Sequence, residues 1–151
     1  MFYGSSRHTL DAKNRVHLPK RFLDLVPQAE WKFFLTPGLE ECLFLFDQPR
    51  WERMVGRLQP DEVGGPELRL MHRSFFANVA ILVPDSQGRV VIPDYHKTFA
   101  GLKSDLSIMG LHNRIEIWST DRWERYEKDN KENFELFGNQ LLSGVRGELP
   151  R

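Results

Sequence analysis

The chain writes one short unit twice, and this duplication constrains its fold more than any other feature. Residues 11–19 read Asp-Ala-Lys-Asn-Arg-Val-His-Leu-Pro, and residues 85–93 read Asp-Ser-Gln-Gly-Arg-Val-Val-Ile-Pro. Asp11/Asp85, Arg15/Arg89, Val16/Val90 and Pro19/Pro93 match at an offset of 74, which Phe2/Phe76 also keeps. Farther on, Leu43, Leu45, Arg50, Trp51 and Glu52 match Ile115, Ile117, Arg122, Trp123 and Glu124 at an offset of 72, so two residues are lost between the blocks. A unit of roughly 45 residues lies near the smallest size that folds alone without a disulfide or a metal. The two copies are therefore expected to share one core, and two are too few for a solenoid. The expectation is a pseudo-twofold, β-rich domain with appended helices, whose sheet edges and apolar faces invite oligomerisation.

Each copy carries the same local signals. An extended segment runs to the aspartate, a tight turn follows, and a short strand such as Arg15 to Leu18 leads to a proline. Pro19 and Pro93 suit a first helical position, where the missing N–H costs nothing, and predict short helices over 19–25 and 93–100. Two strands come next, at 32–36 and 42–46 in the first copy and at 106–109 and 114–118 in the second. A helix closes each copy, with Asp47 and Ser119 or Thr120 as candidate N-caps. Residues 67–76 have helical apolar spacing, a last helix runs from Asp121 toward Gly138, and Ser143 to Glu148 reads as a frayed tail. The expected organisation is one unit over 5–50, connecting helices over 51–78, a second unit over 79–122, and a C-terminal helix and tail over 123–151.

Charge narrows the range of partners. The 151 residues hold 21 Lys plus Arg and 21 Asp plus Glu, so bulk attraction to nucleic acid is excluded and any polyanion site must be a local patch. One such patch exists: residues 7–21 contain Arg7, Lys13, Arg15, Lys20 and Arg21 against Asp11 alone, a balance of +4. The second copy, residues 85–97, sets Arg89 and Lys97 against Asp85 and Asp94 and balances to zero. The lone Cys42 excludes an intramolecular disulfide and fits a reducing compartment. The start of the chain lacks a signal-peptide pattern, and the longest apolar run, Val79 to Val83, is five residues, so a cytoplasmic chain without membrane contact is expected.

The repeated Asp-x-x-x-Arg admits two readings. An aspartate opening a turn accepts hydrogen bonds from backbone amides two residues on, Asn14 or Gly88 supplies the left-handed position, and the arginine simply pairs with the aspartate. Alternatively, an arginine held on a turn neutralises phosphates and reaches a guanine edge with its two-pronged guanidinium. Against catalysis, the five histidines have no metal-ligand spacing, Ser5-Ser6 lacks a nucleophile elbow, Gly64-Gly65 lies in no phosphate loop, and Cys42 sits in an apolar run. No enzyme, metal or cofactor is expected. A protein-binding role is the remaining rival, through the charged helix that carries Trp123, Tyr126, Phe134 and Phe137.

Taken in order, Phe2-x-Gly4, Leu10-Asp11-x-Lys13-x-Arg15-Val16-x-Leu18-Pro19, Asp85-x-x-Gly88-Arg89-Val90-Val91-Ile92-Pro93, Ala100-Gly101-Leu102 and Arg114-Ile115-Glu116-Ile117-Trp118 resemble the MraZ family of bacterial transcriptional regulators. The resemblance covers roughly residues 2 to 125. It implies two AbrB-like swapped-hairpin units forming one pseudo-twofold β-barrel, chains assembled into a ring-like homo-oligomer, and a place on the nucleoid. It also implies sequence-specific binding of double-stranded DNA at promoter-proximal direct repeats, mostly as a repressor of the regulator's own operon and the adjoining division and cell-wall genes. An antitoxin-type protein-interaction module on the same AbrB-like fold is the alternative. Carried onto this chain, Asp11 and Arg15 fall on the first signature, Asp85 and Arg89 on the second and Lys13 on the basic position beside the turn, so Arg15 and Lys13 are expected as the principal DNA contacts with Asp11 orienting Arg15. The charge patch adds Arg7, Lys20 and Arg21, and turn chemistry adds Asn14 and Gly88 as turn-shaping residues. Asn14 stands where the family usually has glycine, and its side chain either meets DNA or hinders the approach. In the second copy Gln87 replaces the basic residue, so weaker binding is expected there.

Overall fold

A computed structural model describes residues 1–144, and they divide into two compact units, Met1–Thr120 and a second beginning at Asp121. In the first, the apolar runs of both repeats become strands of one antiparallel sheet. Its strands are β1 (Phe2–Thr9), β3 (Phe33–Pro37), β4 (Leu43–Asp47), β5 (Ala80–Leu82), β7 (Asp105–His112) and β8 (Ile115–Ser119). They lie in the order β1-β7-β8-β4-β3-β5. The remaining two, β2 (Arg15–His17) and β6 (Arg89–Val91), pair with each other as a separate two-stranded ribbon. Strands that the repeat makes equivalent meet across the molecule: Val16 opposes Val90 in the ribbon, and Phe44 opposes Glu116 where β4 meets β8.

The closed barrel expected from the sequence does not form. The six-stranded sheet ends at β1 and β5, which do not pair. β1 has eight residues and β5 only three, so the two edges present unequal ladders, and closure requires matched stagger around the ring.

The core fills the space that the sheet shares with the ribbon. Phe2, Phe33, Leu35, Leu43, Ile108 and Ile117 have no measurable exposure, and Val16 and Val90 join them from the ribbon. Gly110 lies opposite Gly4 in the β1–β7 register, and a side chain there would come within 2.5 Å of the Phe2–Tyr3 backbone. Close approach of the two strands thus requires glycine at this point.

Four α-helices belong to this unit, with a short 3-10 helix at Gln28–Glu30. α1 (Lys20–Leu23) and α4 (Asp94–Phe99) fall where short helices were expected but are shorter, and Pro19 and Pro93 take the N-cap rather than the first helical position, their ψ of 130° and 153° being extended. α2 (Gln48–Arg57) and α3 (Pro66–Phe76) lie against β3 and β4. The Trp51 ring stacks on Phe34 at 4.9 Å and on Phe75 at 5.8 Å, which is why β3 is apolar on both faces rather than alternating. Such pairs contribute about 0.5–1.5 kcal/mol each beyond area burial. Asp47 occupies the N-cap position of α2 but does not cap it; its carboxylate accepts from Arg50 Nη1 at 2.6 Å instead.

In the second unit the expected single helix is two. α5 (Thr120–Asp129) ends at Asn130, and α6 (Lys131–Leu142) begins after it. Asn130 Nδ2 donates to the Tyr126 carbonyl and Asn130 Oδ1 accepts from Asn133, a local competition with helix hydrogen bonding that breaks the run. Ser143 and Gly144 form a turn; the rest of the tail expected to be frayed lies outside the described residues.

Candidate nucleic-acid interface

Both Asp-x-x-x-Arg segments fold into the same hydrogen-bonded turn. In the first, Asp11 Oδ1 accepts from the Lys13 and Arg15 backbone amides at 2.9 Å each, while Asp11 Oδ2 accepts from Arg15 Nε at 2.8 Å. The backbone closes with Asn14 N–H donating to the Asp11 carbonyl and Asp11 N–H to that of Arg15. In the second, Asp85 accepts from the Gln87 and Arg89 amides and from Arg89 Nε at 2.9, 2.9 and 2.8 Å. These donors hold both carboxyls below the usual aspartate range, the Arg15 and Arg89 amides being the largest cause. Nε is occupied in each arginine and no bond to a described residue is made through Nη1 or Nη2, so the outer prongs face no partner among the described residues.

The ribbon sets the direction in which those prongs point. Val16 and Val90 turn into the core, so alternation puts Arg15, His17, Arg89 and Val91 on the opposite, outer face. Arg15 opposes Val91 and His17 opposes Arg89, so the two arginines sit diagonally on one face of a two-stranded ribbon. His17 was legible in the sequence only as an isolated histidine; its place beside Arg89 depends on a pairing across 72 residues.

Asn14 and Gly88 occupy the left-handed position, with φ of 59° and 78°. Asn14 does not project as a free contact. Its Oδ1 accepts from Lys97 Nζ at 3.0 Å and its Nδ2 donates to Asp94 Oδ1 at 3.2 Å, which ties the first turn to α4. Lys97 and Asp94 are the repeat equivalents of Leu23 and Lys20. At the matching place in the second turn a side chain on Gly88 would come within 2.6 Å of Leu23 Cδ1. A polar anchor in one turn thus replaces an apolar contact in the other.

Comparison with known proteins follows the same division into halves. The sequence model of the family described as "MraZ protein, putative antitoxin-like" matches residues 1–73 and again 75–139. The chain belongs to the MraZ family. Three relatives named "Transcriptional regulator MraZ" illustrate the distance. That of Acetivibrio thermocellus is 35% identical over 93% of this chain and 96% of its own length. That of Frankia alni is 37% identical over 96% and 99%, and that of Lachnoclostridium phytofermentans 38% over 86% and 89%.

Around the first turn, the other candidate cations divide by what already holds them. Lys13 is exposed beside the turn. Arg7 is exposed on β1, opposite Ser107. Lys20 reaches Asp24 at 2.9 Å, and Arg21 donates to the Tyr3 carbonyl and Ser6 Oγ at 3.3 Å with its guanidinium 4.4 Å from the Phe22 ring centre. Arg21 is thus fastened to β1. Elsewhere, Cys42 is buried, and burial pushes its thiol pKa upward, with Glu116 adding to the effect. No helix among the described residues is long and apolar enough to cross a membrane.

Proposed function

We propose that this protein is a sequence-specific, DNA-binding transcriptional regulator that reads a duplex with the outer face of the β2–β6 ribbon. The observation that carries this reading is the clamp on each arginine: Asp11 and Asp85 take Nε and leave the Nη pair in a fixed outward fork. A two-stranded ribbon fits the major groove, and a paired Nη fork matches the O6 and N7 acceptors of guanine. Lys13 and Arg7 add phosphate contacts beside the first turn, and Lys20 extends that set. The strand order, in which equivalent strands of the two repeats face each other, supports a swapped pseudo-twofold relation between the halves.

One ribbon neutralises few phosphates, so a ring-like homo-oligomer that presents several ribbons to direct repeats would supply affinity through effective concentration. On this reading the protein works in the cytoplasm, on the nucleoid, as a repressor of its own operon and the adjoining division and cell-wall genes. A protein-interaction role has one observation of its own: Phe134 and Leu142 on α6 are 82% and 91% exposed. The test is fluorescence anisotropy on a duplex taken from upstream of the protein's own gene, against a shuffled duplex, over a salt series. Preference for the native duplex with a steep salt slope supports the regulator. Equal, weak binding to both, with a stoichiometric protein partner in purified material, supports the interaction module.

A further inference from the structure

Away from the ribbon, α2 turns three arginines to one side. Arg50, Arg53 and Arg57 follow at spacings of three and four residues and line a hollow of about 180 Å³ with Phe46, His112 and Asn113. Their surroundings differ. Arg50 is half-buried, paired with Asp47 at 2.6 Å and stacked over the Phe2 ring at 4.6 Å. Arg53 and Arg57 are exposed, and neither makes a hydrogen bond or ion pair with a described residue. Like charges four residues apart on a helix oppose its formation, so this pair is costly unless an anion joins it.

The far wall comes from the end of β7. His112 has a φ of 69°, and its Nδ1 shares a hydrogen bond with the Tyr3 hydroxyl at 2.7 Å. That bond engages Nδ1 and leaves Nε2 as the ring's other polar atom. The equivalent residues in the other half are Glu40 and Glu41 for His112 and Asn113, and the equivalent of Arg57 is Asp129. The equivalent of Arg53 is Arg125, so that basic position is kept while the places of His112, Asn113 and Arg57 hold acids in the other repeat.

We infer that Arg53, Arg57, His112 and Asn113 form a binding site for a single phosphate group, separate from the ribbon. Two uncompensated guanidiniums match the charge of a phosphate dianion and its oxygens. The hollow is smaller than the roughly 300–1,000 Å³ of sites that enclose drug-sized ligands, which suits one tetrahedral group rather than a nucleoside. Distance separates it from the turns. Phe2 pairs with His112 at one end of the β1–β7 ladder and Thr9 with Asp105 at the other, so the Asp11 turn lies a strand length away, about 23 Å.

The test uses full-length protein and inorganic phosphate. Calorimetric melting in phosphate is compared with chloride at equal ionic strength for wild type, Arg53→Gln/Arg57→Gln and Arg15→Ala. Wild type and Arg15→Ala are expected to melt higher in phosphate, with the double variant folded in chloride but at least about tenfold weaker in its apparent phosphate affinity. Anisotropy with DNA then separates the sources of the phosphate. A salt slope shallower by about 1.8 in the double variant assigns the site to the DNA backbone; an unchanged slope with phosphate-dependent melting assigns it to a free phosphate-bearing ligand. Melting that is indifferent to phosphate, or equally responsive in the double variant, together with an unchanged slope, overturns the site. The melting arm needs no DNA, so failure of the regulator reading and failure of this site remain distinguishable.

Discussion

The two Asp-x-x-x-Arg turns match in every hydrogen bond to within 0.1 Å, yet they differ in what surrounds them. The first carries Lys13 and Asn14, bound across to Lys97 and Asp94; the second carries Gln87 and Gly88, packed under Leu23. Five residues suffice to build the clamp, so it survives duplication unchanged. The flanking positions answer to tertiary neighbours, and there the copies have diverged. The shared geometry aims an arginine; the divergent flanks decide how strongly each copy is held and how much charge it brings.

The comparison is broken most severely at the arginines. Arg15→Ala is expected to weaken DNA binding by about 1–3 kcal/mol, from fivefold to more than a hundredfold, and Arg89→Ala by less, because no lysine flanks the second turn. Equal losses in anisotropy titrations would mean that the flanks do not matter. Folding is more sensitive in the second turn. Gly88→Ala combines a left-handed φ with a side chain 2.6 Å from Leu23 and is expected to cost about 1–3 kcal/mol, seen as a lower Tm. Asn14→Gly relieves the backbone while losing the bonds to Lys97 and Asp94, and a net change within about 1 kcal/mol is expected.

Charge can be exchanged between the copies as a finer test. Lys13→Gln should make the slope of log K against log salt shallower by about 0.9, and Gln87→Lys should make it steeper by a similar amount. If Gln87→Lys leaves the slope unchanged, the second turn does not approach phosphate. The smallest effect is a pH dependence that both turns share. Asp11 and Asp85 titrate lower in the folded chain than in the unfolded one, so their contribution is present above the ordinary aspartate value of about 3.9. It is lost only as pH falls through the depressed folded values. Amide shifts of Arg15 and Arg89 should therefore hold steady down to about pH 4 and move together below it; movement of one near neutrality would mean that its clamp is not formed.

Local chemistry was legible where a structure closes on itself within a few residues. The aspartate turns and the left-handed Asn14 and Gly88 stand where the sequence puts them, and the helices at Pro19 and Pro93 form one residue later than read, with the prolines as N-caps. Asp47 was misread because its carboxylate had two local suitors, the α2 amides and Arg50, and a half-buried guanidinium makes the stronger, charge-assisted bond. The helix from Asp121 was read through Asn130 because apolar spacing continues past it, whereas the break lies in side-chain bonds to the backbone.

By itself the sequence determined that one unit occurs twice, that its turns aim an arginine, and that any patch for a polyanion is local. All of these rest on contacts between near neighbours or on composition. Only the tertiary structure decided that the sheet stays open, that Arg15 and Arg89 share one outward ribbon face with His17, and that Asn14 is anchored to α4. Those outcomes depend on pairing residues some 70 to 110 positions apart, and register over such separations is set by which apolar faces bury together, which no short window of sequence contains.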